Sequence, residues 1–462
     1  MIDTPVLERV LAEALRNGGE FAEVFAEDRS NSSATLDDGR VEELSSGRER
    51  GAGIRVVTGD TTGFAHTADL SEQGLLRAAE AASAVAHGGG GVRQMEVGRL
   101  TGSSHSAGRG DAPTTGTKAD ALELLRRADE AGRGSGDAIS QVQAGFGSSR
   151  RRVLVANSDG LLTGDEQTRT RFSVSCVALG DTGMQTGYET AARTLGFELF
   201  DEVSVEELAR TAAAQALAKL SARPAPSGEL AVVLAGGSGG ILFHEACGHG
   251  LEADHIVKDA SVYTGKVGQL VASPMVTLVD DGTVGSEWGT FAVDDEGRPA
   301  QRNVLIENGI LTDYLWDYLR ARKEGRISSG NGRRQSYRDL PMVRMTNTFL
   351  LPGGDDADEI VAQTPHGVYV AKLGGGQVNT TTGDFVFGTT MAYLIEDGKI
   401  TEPLRDANLI GNGPEILKRI DAVATDFSMT PGTCGKDGQS VPVGCGQATM
   451  RLTGVTIGGT AE

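Results

Sequence analysis

The chain is short of cysteine, short of basic charge and without a long apolar run. Four cysteines (Cys176, Cys247, Cys434 and Cys445) in 462 residues make no disulfide framework, and a reducing compartment suits them; each is core filler or a ligand. Basic residues number 43 against 63 acidic, a formal charge of -20. That balance repels phosphate backbones and anionic lipid, so neither nucleic acid nor membrane is an expected partner. No window approaches the roughly 18 consecutive apolar residues that would span a bilayer. The opening MIDTPVLERVLAEALRNGGE mixes charges with apolar residues and lacks a basic n-region, so it reads as a helix and not as a signal peptide. A cytoplasmic protein is expected.

With 39% hydrophobic residues, a chain of this length can bury two cores of ordinary domain size. Thr4 followed by Pro5 reads as an N-cap with proline at the first helical position, and the helix should end near Asn17-Gly18. From Phe21 to His66 short β-like pieces (FAEVFAED, SATLDDG, VEELSSG, GAGIRVVTG) predict an antiparallel meander. A helix over 70–87 precedes a flexible Gly/Ser/Thr-rich loop at about 88–117. A helix at 118–132, strands near 139–146, 152–156 and 168–179, and a Ser204-capped helix to about Leu220 complete the first half.

RPAPSG at 223–228 cannot continue a helix and marks the boundary between an N-terminal domain, 1–222, and a C-terminal domain, 228–462. Downstream, ELAVVLA is a buried-strand candidate, and short strands alternate with Asp-Gly and Asn-Gly turns. The expected class is α+β: an N-terminal helix-and-antiparallel-sheet domain, then a mostly antiparallel, barrel- or sandwich-like domain carrying a metal-site helix.

Three of the seven histidines fall in GGSGGILFHEACGHGLEADH, Gly236 to His255. His244-Glu245-Ala246-Cys247-Gly248-His249 has the form HExxxH, one residue longer between histidines than the HExxH zinc motif. On an ideal α-helix, positions i and i+5 diverge by about 140°, so both imidazoles cannot face one ion. A π-bulge, or a helix ending near Gly248, would restore a shared face. Two imidazoles suit zinc, and Glu245 is placed to serve as general base toward a hydrolytic water. Local spacing leaves the third ligand open among His255, Glu252, Asp254 and the distant Cys434, which sits in the glycine-flanked PGTCGKDGQSVPVG. Cys176 and Cys247 are expected to be inert packing. Arg333, Arg334 and Arg344 are expected in ion pairs rather than on substrate. LGGGQVNTTTG, 373–383, is either a glycine turn or an edge to which an extended peptide could add as a strand.

The runs HEACGHGLEAD (244–254), GNGRRQSY (330–337), RMTNT (344–348) and CGKDGQSVPVG (434–444) closely resemble the TldD branch of the TldD/PmbA family. With AEVFAED and SVYTGKVGQLVASPMVTLVDDGT also similar, the resemblance covers nearly the whole chain. It implies a metallopeptidase whose zinc ligands are His244, His249 and Cys434, with Glu245 as catalytic base and no further cofactor. It also implies a heterodimer with a PmbA/TldE-type subunit, and hydrolysis of peptide bonds in unfolded or leader peptides. Two alternatives stay open: deacylation of a small-molecule amide, and a non-catalytic substrate-binding subunit.

Overall fold

The structure is a computed structural model and describes residues 2–84, 116–181 and 183–459; almost all of the glycine-rich loop expected at 88–117 lies outside them. Six antiparallel strands form the N-terminal sheet, in the order Thr61–Thr67, Arg40–Thr58, Phe21–Asp37, Ile139–Asn157, Leu162–Gly180, Gly183–Arg193. The short pieces expected from turn residues are thus continuous strands, 17 residues at Phe21–Asp37 and 19 at Arg40–Thr58. The polar stretches left between those pieces, Arg29 to Ser32 and Arg48 to Arg50, are outer portions of ladders that keep pairing: Ser30 with Arg48 and with Arg150.

One face of this sheet carries two helix pairs. Thr4–Ala14 and Glu72–Ser83 pack Leu7, Val10, Leu11 and Leu75 on Val24, Ile54 and Val56. Lys118–Arg133 and Val205–Leu220 pack Leu125, Ala209 and Ala212 on Phe172 and Val174. Asp3, and not Thr4, is the N-cap of the first helix, with Thr4 already helical. Ser71, Thr117 and Ser204 each accept a bond from an amide in the first turn of their helices, which satisfies otherwise orphaned donors. Because strand side chains alternate, Ala22, Val24 and Ala26 face these helices while Phe21, Glu23, Phe25 and Glu27 face the other way, toward the C-terminal half. Both sets are buried.

In the C-terminal half, strands Gly228–Leu234, His366–Val378, Asp384–Glu396, Asn408–Asn412 and Met450–Gly458 close on one another. Each pairs with the next and the last with the first, a five-stranded barrel of the kind the alternating pattern foretold. The segment expected to separate the halves is itself pinned, since Arg223–Pro224 pairs in parallel with Leu404–Arg405. A second sheet runs Ile310–Leu311, Arg302–Glu307, Leu278–Asp281, Asn347–Leu350, Gln439–Gln447, Ser428–Lys436. The metal-motif helix passes between this sheet and the barrel, in the largest core, where Phe243, Leu251, Met345 and Leu278 are fully buried. No described helix is long and apolar enough to cross a membrane.

Candidate metal centre

The barrel strand Gly228–Leu234 leads through Gly236 to Gly239 into a helix that begins hard against the Gln439–Gln447 strand. A Cβ on Gly240 would lie 2.3 Å from the backbone nitrogen of Gly446, so only glycine lets this helix start so close. The helix is α over Gly240–Phe243, π over His244–Gly248 and 3-10 over His249–Leu251. The π turn is the distortion the five-residue spacing demands. It widens one turn by a residue and brings the imidazoles of His244 and His249 together, ring centroids 5.1 Å apart at 85°.

Cys434 completes the group from the hairpin Ser428–Lys436/Gln439–Gln447, 190 residues from His244 in the chain. Its Sγ lies 3.1 Å from His244 Nε2 and 3.3 Å from His249 Nε2, and all three residues are buried. Burial alone would push the Cys434 thiol up, but the two imidazoles outweigh it and bring it down to about 4. Burial likewise opposes charge on His249, yet Glu252 and Cys434 raise it to about 10. Three soft or borderline donors, mutually polarised and facing one point within 4.8 Å of one another, fit a divalent metal of zinc type. Among the described residues, Nδ1 of His244 has no hydrogen-bond partner.

Of the other candidates for third ligand, Glu252 turns away from the shared point and accepts from His249 Nδ1 at 2.9 Å. Lys436 bridges Glu252 and Asp254, at 2.8 and 2.7 Å. These two carboxylates, with His255, are grouped closely enough to hold a cation, and the ammonium of Lys436 already supplies one. Glu245 projects to the open side, 26% exposed, with Oε2 3.7 Å from His249 Nε2. Cys176 is buried in the N-terminal core and Cys247 donates to the Phe243 carbonyl at 2.9 Å, packing roles both.

Sequence reasoning missed the roles of three residues here. Lys436 directly follows the Cys434-Gly435 pair, but its two carboxylates come from around the motif helix, so no local pattern links them. Arg344 donates to the carbonyl of Cys434 and fixes the strand that carries the thiol. Cys445, buried opposite Thr348 in the parallel strand pairing, sits beside His244 and helps hold its imidazole well above the ordinary value against the burial that opposes charge. The arginines divide: Arg334 pairs with Glu23 as expected, whereas Arg333 and Arg344 bond to carbonyl oxygens and, among the described residues, meet no carboxylate within 4.0 Å.

Profiles of the PmbA/TldA metallopeptidase family match this chain in three parts: domain 1 at 22–86, the central domain at 112–220 and the C-terminal domain at 227–459. The chain is 40% identical over 458 residues to a metalloprotease TldD homolog of Haemophilus influenzae, covering 96% of this chain and 93% of that one. It is 36% identical over 461 residues to a metalloprotease of Methanothermobacter thermautotrophicus, covering 99% and 100%. Its fold matches that of TldE from Thermococcus kodakarensis, with a TM-score of 0.77 at 20% identity over 98% of this chain and 99% of the other. A Thermotoga maritima protein matches at 0.79, with the same identity and coverage.

Proposed function

The chain belongs to the PmbA/TldA metallopeptidase family, and from that premise we propose that it hydrolyses peptide bonds of unfolded or leader-type peptides, with zinc held by His244, His249 and Cys434 and with Glu245 as general base. The convergence of both Nε2 atoms on Cys434 Sγ, next to a partly exposed glutamate, carries this reading. Bound there, zinc would supply Lewis acidity toward the scissile carbonyl and the attacking water.

The remaining steps belong to the chain. Glu252 accepts from Nδ1–H of His249, which leaves the Nε2 lone pair free for a ligand role and fixes the ring's orientation. Lys436 bridges Glu252 and Asp254 and offsets part of their charge, so they compete less for the ion. Glu245, within reach of solvent, takes the water's proton on a carboxylate oxygen and delivers it to the leaving amine. An extended substrate has a place to lie. The strand His366–Val378 pairs with Asp384–Glu396 along its length but with Gly228–Leu234 only at 367–370. The glycine-rich remainder offers a backbone edge, and Leu373 N is tied to Ser238 Oγ at the root of the motif helix. A PmbA/TldE-type subunit is the expected partner, in keeping with the shared fold of TldE.

The test is zinc content and peptide cleavage, side by side, for wild type and Glu245→Ala with the partner subunit present. Retained zinc with cleavage reduced at least about 100-fold is expected for loss of a general base. Unchanged cleavage, or wild-type protein without metal, would overturn the assignment, and activity confined to acyl-amide probes would turn it toward deacylation.

A further inference from the structure

On the far side of the N-terminal sheet from its helices lies a cavity of about 200 Å³ with an unusual charge balance. Five arginines line it: Arg29, Arg151 and Arg169 from the sheet, and Arg333 and Arg334 from the segment that crosses beneath it. Among the described residues only two carboxylates share the lining, Asp294 and Asp295, and both are engaged. Asp295 pairs with Arg151 at 2.9 Å and accepts from the Arg334 amide. Asp294 accepts amides of Glu296, Arg298 and Gly332, and burial together with Glu296 pushes it well above the ordinary carboxylate range. Glu27 and Glu23, just behind the wall, are taken by Arg29 and Arg151 and by Arg334 and Arg55.

Arg169 and Arg333 are left over. Each is more than nine-tenths buried, and among the described residues neither has a carboxylate oxygen within 4.0 Å. Arg169 donates to Trp288 O, Thr290 O and the Gln167 side-chain oxygen; Arg333 donates to Met345 O and Pro442 O. Such bonds satisfy donors but leave two buried unit charges with no carboxylate in contact, only more distant ones such as Asp295, a costly arrangement that an anion in the cavity would relieve. Burial, with Arg333 and Arg151 beside it, brings Arg169 down to about 9, and burial outweighs the more distant Asp295 to bring Arg333 down to about 10.

We propose that this cavity is an oxyanion site that takes a carboxylate or a phosphate, with Arg169 and Arg333 supplying charge that no carboxylate contacts. Planar forked donors on several walls suit either anion. Thr433, the neighbour of Cys434, is part of the lining, so an occupant would lie against the strand that presents the candidate sulfur ligand. A peptide carboxylate as the natural occupant rests on the peptidase reading; a free phosphate ion does not.

The experiment is calorimetric titration of the full-length protein at constant ionic strength with inorganic phosphate and with N-acetyl-trialanine as the free acid and as the C-terminal amide, alongside Arg169→Gln, Arg333→Gln and Ser149→Asp. Ser149 is on the cavity wall, and an aspartate there would be a tethered occupant. Saturable binding is expected, weakened at least tenfold by either arginine substitution and abolished by Ser149→Asp, which should also raise the melting temperature. Preference for the acid over the amide would identify a peptide terminus, and phosphate binding without that preference a free ion. No saturable binding by any probe, or binding indifferent to all three substitutions, would overturn the site. Should the arginine variants fail to fold, Ser149→Asp alone decides. Peptide cleavage assayed in parallel separates the oxyanion site from the hydrolase reading, since loss of catalysis with intact oxyanion binding counts only against the latter.

Discussion

At the scale of single residues, the Glu252 carboxylate has the largest leverage for a group that touches neither the water nor the shared ligand point. It is fully buried, accepts from His249 Nδ1, and is held ionised, against its burial, by His249 and Lys436. Replacing it by glutamine keeps the size but removes the charge that orients the ring and strengthens Nε2 as a donor atom. Outer partners of this kind typically alter metal affinity about 10–100-fold. Glu252→Gln is therefore expected to weaken zinc binding by about that factor in a competition titration with a chromogenic chelator, while leaving the fold intact by circular dichroism. An unchanged affinity would mean that the π turn fixes His249 without it.

At the scale of elements, the π turn depends on a close approach. Gly248 has an ordinary helical φ of -54, so its glycine is not a matter of backbone freedom. A Cβ there would fall 2.2 Å from Met345 Sδ, in a core where Met345 is fully buried. Gly248→Ala is expected to cost about 1–3 kcal/mol in denaturant unfolding, as overpacking does. The loss should shrink when combined with Met345→Ala, because residues in contact are not additive.

A second element-level expectation concerns pH. The Arg127 side-chain bond, aided by the Ser204 cap, brings Glu206 down to about 2 and ties helix Lys118–Arg133 to helix Val205–Leu220. The unfolded chain binds that proton from its ordinary carboxylate value downward and the folded chain only near 2. The pair's contribution is thus complete above about 4.5 and lost as pH falls toward 2. Exposure of the pair limits it to about 0.2–1 kcal/mol. Glu206→Gln should flatten the acid limb of the stability profile by that amount and leave neutral stability lower by the same amount.

Elements also show what a sequence can disclose. The π turn was legible because two histidines five apart cannot share an α-helical face, and the caps at Ser204 and the barrel's alternating strands follow local chemistry. The lengths of the N-terminal strands were not, because the polar stretches Arg29 to Ser32 and Arg48 to Arg50 fall between the strand-like pieces and join them only once the neighbouring strands are known. Nor were the roles of Lys436 and Cys445, whose partners come from elsewhere in the chain, or that of Glu252, which bonds to His249 three residues before it instead of supplying a ligand.

At the scale of the whole molecule, the N-terminal sheet and the C-terminal half meet through a buried layer of charge, and this is where sequence pattern is most misleading. Glu23 and Glu27 alternate with apolar residues as a solvated face would, yet both are buried. Glu23 accepts from Arg55 at 2.8 Å and from Arg334, 311 residues along the chain, and Arg55 reaches Glu296 at 2.8 Å. Arg334 also stacks over Phe25, 4.3 Å from its centroid. Such pairs contribute little net stability against apolar substitutes, but removing one partner strands the others. Glu23→Ala leaves Arg334 without its carboxylate and Arg55 with only Glu296, and should cost about 3–5 kcal/mol. Arg9→Ala, which breaks the exposed Arg9–Glu72 pair, should cost no more than about 1 kcal/mol. Urea unfolding of both variants measures the contrast. If the loss in Glu23→Ala is confined to a transition of the N-terminal sheet alone, the charged layer is a joint between separately cooperative halves; if the single transition moves as a whole, it is part of one core.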